Sequence, residues 1–504
     1  MKNVLEYLEK TAADYPNKKA IVSQNATLTF SELLLLSQKV GTFLSSFAAK
    51  EPVALLMDKE PNCVCAMMGA LYANCYYVVV DVNSPSERIK TILGMFDHPL
   101  LITDIEHEEL AKTINGNYCR YEDIIQTDVD KEILVARREA MCDMDTAYIL
   151  FTSGSTGQPK GTVISHRALI SYLNWVTNEF RFNSNTVFGS QTPLYFSMSV
   201  TDLFSTIKCG CTYCIIPKQY FSFPMNLIKY LNEQKVNTIY WVPTALSILA
   251  NWKVFDVVKP EYLECVLFAG EVMPTKQLNY WISSLSADVI YANLFGPTET
   301  TDICTFYRVN RSFSNDESIP IGTHCDNCDA FVINDSGKIA KNGEEGELYV
   351  RSSFMADGYY KNMQKTSEAF VQNPIHSNYP EIVYRTGDIV RYNERGELLY
   401  ICRKDSQIKR MGYRIELGEI EASVNSLAEV KSCACIYDKE QDVIVLIFEG
   451  NIDDKQKIME AIASKCPSYM TPDRVLRTDN MPLNMNGKIN RKYLLTKYKD
   501  YKEV

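Results

Sequence analysis

The sequence predicts an α/β protein whose large N-terminal part consists of layered, mostly parallel sheets covered by helices. The first observation is an alternation, before Pro320, of helical apolar spacing with short runs of β-branched residues. The second is a change after Pro320 to strands separated by Gly, Asn and Asp turns, which indicates a smaller, more antiparallel, β-barrel-like region. The third is the length of 504 residues, for which we expect two or more domains.

The N-terminal part has three stretches with the apolar spacing of an amphipathic helix, at residues 4–15, 31–47 and 165–180. The runs at 53–57 and 238–242 are short and rich in β-formers, and they predict buried strands. Because such strands alternate with helices, they favour parallel pairing through helical crossovers. After Pro320, we expect strands at 331–333, 346–350 and 398–401.

The apolar run at residues 63–82 is nearly long enough to span a bilayer. It contains Gly69 and Asn74, and its final part, residues 76–80, is rich in β-formers. We therefore interpret this run as a core helix followed by a core strand, and we predict no membrane insertion.

The formal net charge of −10 argues against a general nucleic-acid or anionic-membrane binder. The 16 cysteines do not suggest disulfides, because pairs such as Cys63 and Cys65 lie in apolar runs where thiols act as small buried hydrophobes. With no signal peptide at the N-terminus, we expect a reducing cytoplasm. Cys325 and Cys328 beside His324 have zinc-like spacing, but no second pair completes a ligand set, so we predict no metal there.

A loop rich in Gly, Ser and Thr, with the sequence TSGSTGQPKG at 152–161, follows the buried strand predicted at 147–151. Its three glycines let backbone N–H groups converge on one point, where hydroxyls and the ammonium of Lys160 can also meet an anion. The spacing is not that of a Walker motif, since a helix begins only at about Ser165. The loop predicts a site for a nucleoside triphosphate, and a flexible polar loop is the alternative.

Four further motifs follow in order: Asn293-Leu294-Phe295-Gly296-Pro297-Thr298-Glu299, Tyr384-Arg385-Thr386-Gly387-Asp388, Arg403-Lys404-Asp405 and Asn486-Gly487-Lys488. With the loop, they resemble the adenylate-forming (AMP-binding) superfamily of peptide-synthetase adenylation domains, acyl-CoA synthetases and luciferases. The segments 199–203 and 270–274 are most similar to the free-standing amino-acid adenylation enzymes, especially the D-alanine–carrier protein ligases.

The resemblance implies an enzyme that converts ATP and an amino-acid-like carboxylic acid into acyl-AMP and pyrophosphate with Mg²⁺. It implies a nucleotide- and acid-binding domain at 1–404 and a small, mobile α+β lid domain at 405–504, with Asp405 as the hinge. The implied catalytic residues are Lys488, Thr298 and Glu299, of which Glu299 is also the metal ligand. The implied ATP-binding residues are Thr152, Ser153, Gly154, Ser155, Thr156, Gly157, Lys160, Gly270, Glu271, Asn293, Phe295, Asp388, Arg403 and Lys488.

The resemblance also implies a second half-reaction, in which the acyl group passes to the phosphopantetheine thiol of a carrier protein acting in trans. The lid rotates between the two steps, withdraws Lys488 and presents the segment around Gly412 to the entering thiol. A glycine there lets the backbone approach the phosphopantetheine arm closely.

The acid pocket departs from the family pattern at one position. Alignment by motif assigns the pocket to Phe196, Ser197, Met198, Thr201, Tyr240, Leu267, Ala269, Leu294, Asp302 and Ile303. Ser197 stands where amino-acid adenylation domains have an Asp for the α-ammonium, and a serine cannot compensate a buried positive charge. Asp302 can then pair with a displaced ammonium, accept a hydroxyl or phenol together with Ser197, or point away and be structural.

Two alternatives to a carrier-protein ligase remain. Within the enzyme class, the chain resembles aryl- or hydroxy-acid adenylating ligases and acyl-CoA synthetases. In another class, it would be an inactive adenylate-binding protein. The intact set of Lys160, Glu299, Asp388 and Lys488 argues against the inactive protein.

Overall fold

The computed structural model of the protein describes residues 1–97, 99–153, 158–404, 407–482 and 489–504. The predicted site residues Gly154, Ser155, Thr156, Gly157, Asp405 and Lys488 lie outside these ranges. The helices are α1 (Leu5–Asp14), α2 (Phe30–Leu44), α3 (Pro61–Tyr72), α4 (Ser86–Leu93), α5 (Glu108–Ile114), α6 (Tyr121–Ile124), α7 (Lys131–Glu139), α8 (His166–Glu179), α9 (Ser199–Cys209), α10 (Pro224–Glu233), α11 (Pro243–Asn251), α12 (Thr275–Ser284), α13 (Met363–Ala369), α14 (Leu417–Asn425), α15 (Lys455–Ala463) and α16 (Arg491–Lys497).

The strands are β1 (Lys19–Val22), β2 (Thr27–Thr29), β3 (Pro52–Leu56), β4 (Tyr76–Val79), β5 (Leu100–Thr103), β6 (Tyr118–Arg120), β7 (Thr146–Thr152), β8 (Lys160–Ser165), β9 (Val187–Ser190), β10 (Thr212–Ile215), β11 (Thr238–Trp241), β12 (Cys265–Phe268), β13 (Ile290–Phe295), β14 (Thr305–Arg308), β15 (Thr323–His324), β16 (Cys328–Ile333), β17 (Glu345–Ser352), β18 (Gly358–Tyr359), β19 (Phe370–Gln372), β20 (Ile382–Tyr392), β21 (Leu398–Arg403), β22 (Gln407–Arg410), β23 (Tyr413–Glu416), β24 (Val430–Asp438), β25 (Val443–Gly450), β26 (Arg474–Thr478) and β27 (Lys502–Glu503). The α/β class is confirmed.

The three helices predicted from apolar spacing are confirmed as α1, α2 and α8. Helix α2 begins with a capping box, in which Thr29 and Glu32 satisfy each other's backbone N–H groups. Helix α8 begins after Ser165, whose Oγ accepts from the Ala168 N–H at 3.4 Å. Polar caps at these positions stop the helices from extending into the preceding strands.

The chain folds into two compact units. The first comprises Met1–Val80, His98–Leu150 and Gly161–Lys404, and the second comprises Asp81–Asp97, Phe151–Lys160 and Asp405–Val504. The second unit therefore takes two short segments from the earlier part of the chain.

A nine-stranded sheet in the first unit has the order β15-β14-β13-β12-β11-β9-β10-β1-β2. Strands β13, β12, β11, β9, β10 and β1 are parallel to one another. The predicted strand at 238–242 is confirmed as β11, whose four residues are all buried. Burial on both faces explains why this strand has a continuous apolar run instead of alternation.

A seven-stranded sheet has the order β18-β8-β7-β4-β3-β5-β6. The apolar run at 63–82 is confirmed as a core helix and a core strand, α3 and β4, whose residues are buried throughout except for Asn62. In the described part of the chain, no helix has both the length and the apolar character needed to cross a membrane. All 16 cysteines are free thiols.

The region after Pro320 contains a five-stranded antiparallel sheet formed by β16, β17, β20, β19 and β21. The strands predicted at 331–333, 346–350 and 398–401 lie within β16, β17 and β21 and are confirmed. Strand β20 is the central strand, because it pairs with three others. It carries the predicted ribose ligand Asp388.

The second unit contains the four-stranded sheet β24-β25-β26-β27 and the hairpin of β22 and β23. Alternate residues of β24 enter two different apolar clusters, with Cys433 and Cys435 in one and Ala434 and Ile436 in the other. Both faces of this sheet are therefore covered, the first by α14 and α15 and the second by α16. This unit has its own hydrophobic core and is a small α+β structure.

Candidate active site

Four of the predicted pocket residues share one face of the nine-stranded sheet. Tyr240 on β11 lies opposite Leu267 on β12, and Leu267 lies opposite Ala292 on β13. Because side chains on a strand alternate between faces, Ala269 and Leu294 follow on the same face two residues later. All four positions lie at the carboxyl ends of parallel strands, where open α/β sheets bind their ligands.

Asp302 lies at the centre of a cluster of hydroxyl groups. Its Oδ2 accepts hydrogen bonds from Thr201 Oγ1 at 2.7 Å, Tyr172 Oη at 3.0 Å and Tyr240 Oη at 3.2 Å. The side chain is only 1% exposed. The structure therefore brings Asp302 together with the predicted pocket residues Thr201 and Tyr240, and it adds Tyr172 from α8.

Burial raises the pKa of Asp302 to about 6, while hydrogen bonds from Thr201, Tyr172, Tyr240 and Ser197 act in the opposite direction. A buried carboxylate is expensive in free energy unless several donors stabilise its charge. Asp302 is thus ionised above about pH 6 and can compensate a positive charge or accept a hydrogen bond.

Ser197 connects the acid pocket to the nucleotide motif, since Thr298 Oγ1 donates to Ser197 Oγ at 3.4 Å. Ser197 belongs to the turn before α9, in which the Phe196 carbonyl accepts from Ser199 Oγ at 2.7 Å. Met198 and Ile303, also predicted for the pocket, are both buried.

Glu299 is completely buried, and its Oε1 accepts a hydrogen bond from Tyr359 Oη at 2.7 Å. Gly296, earlier in the same motif, lies directly against the backbone of the segment that contains Asp302. A Cβ at this position would lie 2.2 Å from the Asp302 carbonyl oxygen, which explains the glycine. In the described ranges, no group of three His, Cys, Asp or Glu side chains could hold a metal. A single carboxylate fits Mg²⁺, which takes few protein ligands and completes its shell with phosphate and water oxygens.

Four predicted nucleotide ligands lie in the carboxyl-terminal half of β13 or just beyond the carboxyl end of β12. Asn293 Nδ2 donates to the Pro320 carbonyl at 2.8 Å, which holds the amide so that its oxygen can accept from an amino group. The Phe295 ring is buried and lies 6.0 Å from the Tyr400 ring. Next to Gly270, Glu271 Oε2 accepts from the Thr244 N–H and Oγ1, at 3.0 and 2.7 Å.

Asp388 and Arg403 are paired across β20 and β21. Asp388 Oδ1 lies 3.2 Å from Arg403 Nη1, which also donates to the Thr386 carbonyl at 2.6 Å. The Asp388 side chain is 2% exposed, and its Oδ1 accepts no hydrogen bond from the residues described. A buried carboxylate oxygen with spare capacity can accept from the hydroxyls of a ribose.

Gly387 allows this arrangement, because its φ is +76° and a Cβ would lie 2.7 Å from Arg403 Nη2. We expect Gly387→Ala to lower the free energy of unfolding by about 1–2 kcal/mol, the cost of a left-handed non-glycine residue. It should also raise KM for ATP, because Arg403 must move away from Asp388. Gly396→Ala is the control, since Gly396 has φ +75° but no atom within 4 Å of its Cβ position. Both variants are characterised by thermal unfolding and by the KM for ATP. Equal KM values for the two variants would contradict this role of Gly387.

The phosphate-loop residues Thr152, Ser153 and 158–160 belong to the second unit, whereas Gly161, the last residue of the loop, belongs to the first. Thr152 ends β7, Lys160 begins β8, and Ser153 Oγ donates to the Arg414 carbonyl at 2.7 Å. Gly412, predicted to border the thiol path, lies in the two-residue turn between β22 and β23. Residues 154–157, Asp405 and Lys488 lie outside the described ranges, so their predicted roles stay predictions.

Sequence reasoning missed Tyr172 and Tyr359. Tyr172 lies in the apolar stripe of α8, and Tyr359 lies in a strand of two residues, so neither stands out from an ordinary core aromatic. Their hydroxyls acquire a role only because Asp302 and Glu299 are brought to them by folding. No local signal in the sequence marks either residue.

The chain is similar over almost its whole length to ligases that act with carrier proteins. The chain is 30% identical, over 98% of its length and 96% of the relative, to the L-proline–[L-prolyl-carrier protein] ligase of Streptomyces coelicolor. It is 30% identical, over 97% of its length and 98% of the relative, to the D-alanine–D-alanyl carrier protein ligase of Bacillus licheniformis. Its fold matches that of the Vibrio cholerae adenylation domain AlmE, which was solved in complex with glycyl-adenosine-5'-phosphate. The TM-score is 0.83 at 20% sequence identity, and the match covers 99% of this chain and 98% of the AlmE chain.

Residues 8–360, well over half of the chain, match the family described as AMP-binding enzyme. The match includes the phosphate loop and the segment from Asn293 to Glu299. The chain therefore belongs to the family of AMP-binding enzymes.

Proposed function

We propose that the protein uses ATP to adenylate a carboxylic acid, releasing pyrophosphate, and then transfers the acyl group to the phosphopantetheine thiol of a carrier protein. The observation that carries the proposal is the 3.4 Å contact between Thr298 and Ser197. It joins the nucleotide motif to the acid pocket, and the reaction needs a carboxylate next to an α-phosphate. Two full-length relatives are ligases that act with carrier proteins, which supports the second step.

In the first step, a carboxylate oxygen of the acid attacks the α-phosphorus, and the bond to the β-phosphate oxygen breaks. Thr298 would contact the α-phosphate and Asp388 would accept from the ribose hydroxyls, with Arg403 holding Asp388 in place. Phe295 would stack on adenine, and the Asn293 amide oxygen would accept from its amino group. Gly270 and Glu271 would border the same nucleotide.

Glu299 would hold Mg²⁺, whose positive charge neutralises phosphate oxygens when it is bound. The hydrogen bond from Tyr359 orients the Glu299 carboxylate. Lys160 and the hydroxyls at positions 152–157 of the phosphate loop would contact the β- and γ-phosphates, which leave together as pyrophosphate. Glu299 directly follows Thr298, which contacts Ser197 of the acid pocket, and this position beside the proposed α-phosphate contact supports the assignment.

We place the domain boundary between residues 404 and 405, with Asp405 as the hinge. The break between the two compact units at Lys404 supports this position. Rotation about the hinge would exchange Lys488, needed for adenylation, for the segment around Gly412, which would border the thiol path. The thiol sulfur then attacks the acyl carbon, AMP leaves, and the thiol proton is released.

A hydroxy- or aryl-acid substrate is the second candidate, and the hydroxyl-lined surroundings of Asp302 favour it. Ser197 carries no charge for an α-ammonium, so ordinary L-α-amino acids should be poor substrates. An acid with a displaced amine or a hydroxyl would instead use Asp302.

Acid-dependent exchange of pyrophosphate into ATP tests the proposal directly. We expect exchange with at least one member of a panel of amino, hydroxy and aryl acids, and we expect it to require Mg²⁺. The panel should include D-alanine, L-proline, β-alanine, 3-aminobenzoate and salicylate. The control omits the acid. No exchange above that background with any acid would refute adenylation, whereas exchange without acylation of any added carrier protein would favour a CoA ligase.

A further inference from the structure

A strained turn lies between the two buried carboxylates of the site, Glu299 and Asp302. Its central residue, Thr301, is completely buried and has φ +66° and ψ −56°. The Asp302 N–H donates to the Thr300 carbonyl, two residues earlier in the chain, at 2.7 Å. These backbone angles and this hydrogen bond define a γ-turn of the rare, strained type.

Threonine is an unfavourable residue for the centre of this turn. A branched Cβ is strongly disfavoured at positive φ, whereas glycine adopts such a backbone without a steric cost. A strained residue persists in a folded protein only where its surroundings impose the strain, and such residues are concentrated at ligand sites. The side chain of Thr301 supplies a hydroxyl group, which glycine lacks.

The Thr301 hydroxyl fixes the turn to a second segment of the chain, residues 354–356. Its Oγ1 donates to the Phe354 carbonyl at 2.7 Å, and both residues are completely buried. In the same segment, the Ala356 N–H donates to the Glu299 carbonyl at 2.8 Å. The segment therefore holds the turn at two points, and Thr301 supplies the point that lies next to Asp302.

The position of the Asp302 carboxylate depends on the backbone at residue 301. Its Oδ2 accepts from three hydroxyls that are carried by three separate elements, α8, α9 and β11. Hydrogen bonds weaken steeply when their geometry departs from linear. A rotation of the backbone at residue 301 would therefore take the carboxylate away from these donors and from a bound acid.

We propose that Thr301 is a positioning residue of the acid pocket: the hydrogen bond from its hydroxyl to Phe354 holds the γ-turn, and the turn aims the Asp302 carboxylate at the acid. This role rests on the proposed adenylation, in which Asp302 contacts the acid. It is the same whether the acid presents an ammonium or a hydroxyl, because either group needs the carboxylate oxygens at a fixed position.

Three substitutions at Thr301 separate the hydroxyl from the shape of the side chain. Thr301→Val keeps the shape but removes the hydroxyl, and Thr301→Ser keeps the hydroxyl. Thr301→Gly removes the hydroxyl and adopts the same backbone without strain, so it is expected to fold even if the valine variant does not. Thr305→Val is the matched control, since Thr305 on β14 is equally buried and its Oγ1 makes no hydrogen bond within the described ranges.

The experiment measures acid-dependent pyrophosphate exchange with the best acid of the panel, varying the acid and ATP separately, and records thermal unfolding of each variant. Thr301→Val and Thr301→Gly should raise KM for the acid about tenfold, because the carboxylate is no longer held in place. KM for ATP and kcat should change by less than about threefold, since Glu299 keeps its hydrogen bonds from Ala356 and Tyr359. Thr301→Ser and Thr305→Val should stay within about twofold of the native enzyme.

The outcomes distinguish the positioning role from the proposed adenylation. An unchanged KM for the acid in Thr301→Val overturns the positioning role alone, and so does a serine variant that behaves like the valine variant. An equal rise of KM for ATP, or a similar rise in Thr305→Val, also overturns it. If Thr301→Val does not fold, Thr301→Gly decides by the same criteria. A native enzyme with no exchange on any acid overturns the adenylation, and the positioning role with it.

Discussion

The Lys488→Ala variant is expected to form acyl-AMP roughly 10²–10³ times more slowly than the native enzyme. In the proposed reaction, Lys488 bridges the attacking carboxylate and the α-phosphate while negative charge accumulates between them. Thiol transfer from supplied acyl-adenylate should change much less, because in the proposed mechanism the lid has by then rotated and withdrawn Lys488. Single-turnover formation of acyl-AMP, and transfer to a carrier protein in a separate assay, measure the two steps independently.

Lys492→Ala is the matched control for this experiment. Lys492 is an exposed lysine on α16, close to Lys488 in sequence, and its loss should leave both half-reactions unchanged. Equal losses in the two steps for Lys488→Ala would refute the exchange of lid segments between them. A normal rate of adenylation would remove Lys488 from the reaction.

The Asp302→Asn variant is expected to lose apparent specificity for its best acid. If the substrate carries an ammonium, its buried charge loses compensation, and we expect a cost of roughly 2–5 kcal/mol in kcat/KM. If the partner is a hydroxyl, the amide oxygen can still accept a hydrogen bond, and the cost should be nearer to about 1 kcal/mol. Steady-state kinetics on the best acid of the panel therefore separate the two substrate classes.

The pH profile provides an independent check on the same carboxylate. The pKa of Asp302 is raised to about 6, so kcat/KM for an amine-bearing acid should rise as the pH increases through this value and the carboxylate ionises. Tyr172→Phe removes a hydrogen bond that lowers the pKa, so the midpoint should move to higher pH. Unchanged kcat/KM in Asp302→Asn, together with a flat profile, would leave Asp302 as a structural residue.

Much of the secondary structure follows from local patterns. Helices α1, α2 and α8 agree with their predicted ranges because apolar spacing and polar caps act within one element. The short buried strand β11 was recognisable because its residues favour strands and its neighbours favour helices. The assignment of segments 81–97 and 151–160 to the second unit could not be predicted in this way, since it depends on which distant surfaces pack together.

The α/β class, the family and the identity of the motif residues could be predicted from the amino-acid sequence, because short motifs and element periodicity are encoded within a few neighbouring positions. The surroundings of those residues could not, because they depend on how distant parts of the chain pack in the folded protein. Asp302 accepts from Tyr172, which is 130 positions away in the chain, and Glu299 accepts from Tyr359, which is 60 positions away. The packing of helices and strands against one another determines these hydrogen-bond partners. The pKa of a buried carboxylate depends on such long-range donors and on desolvation.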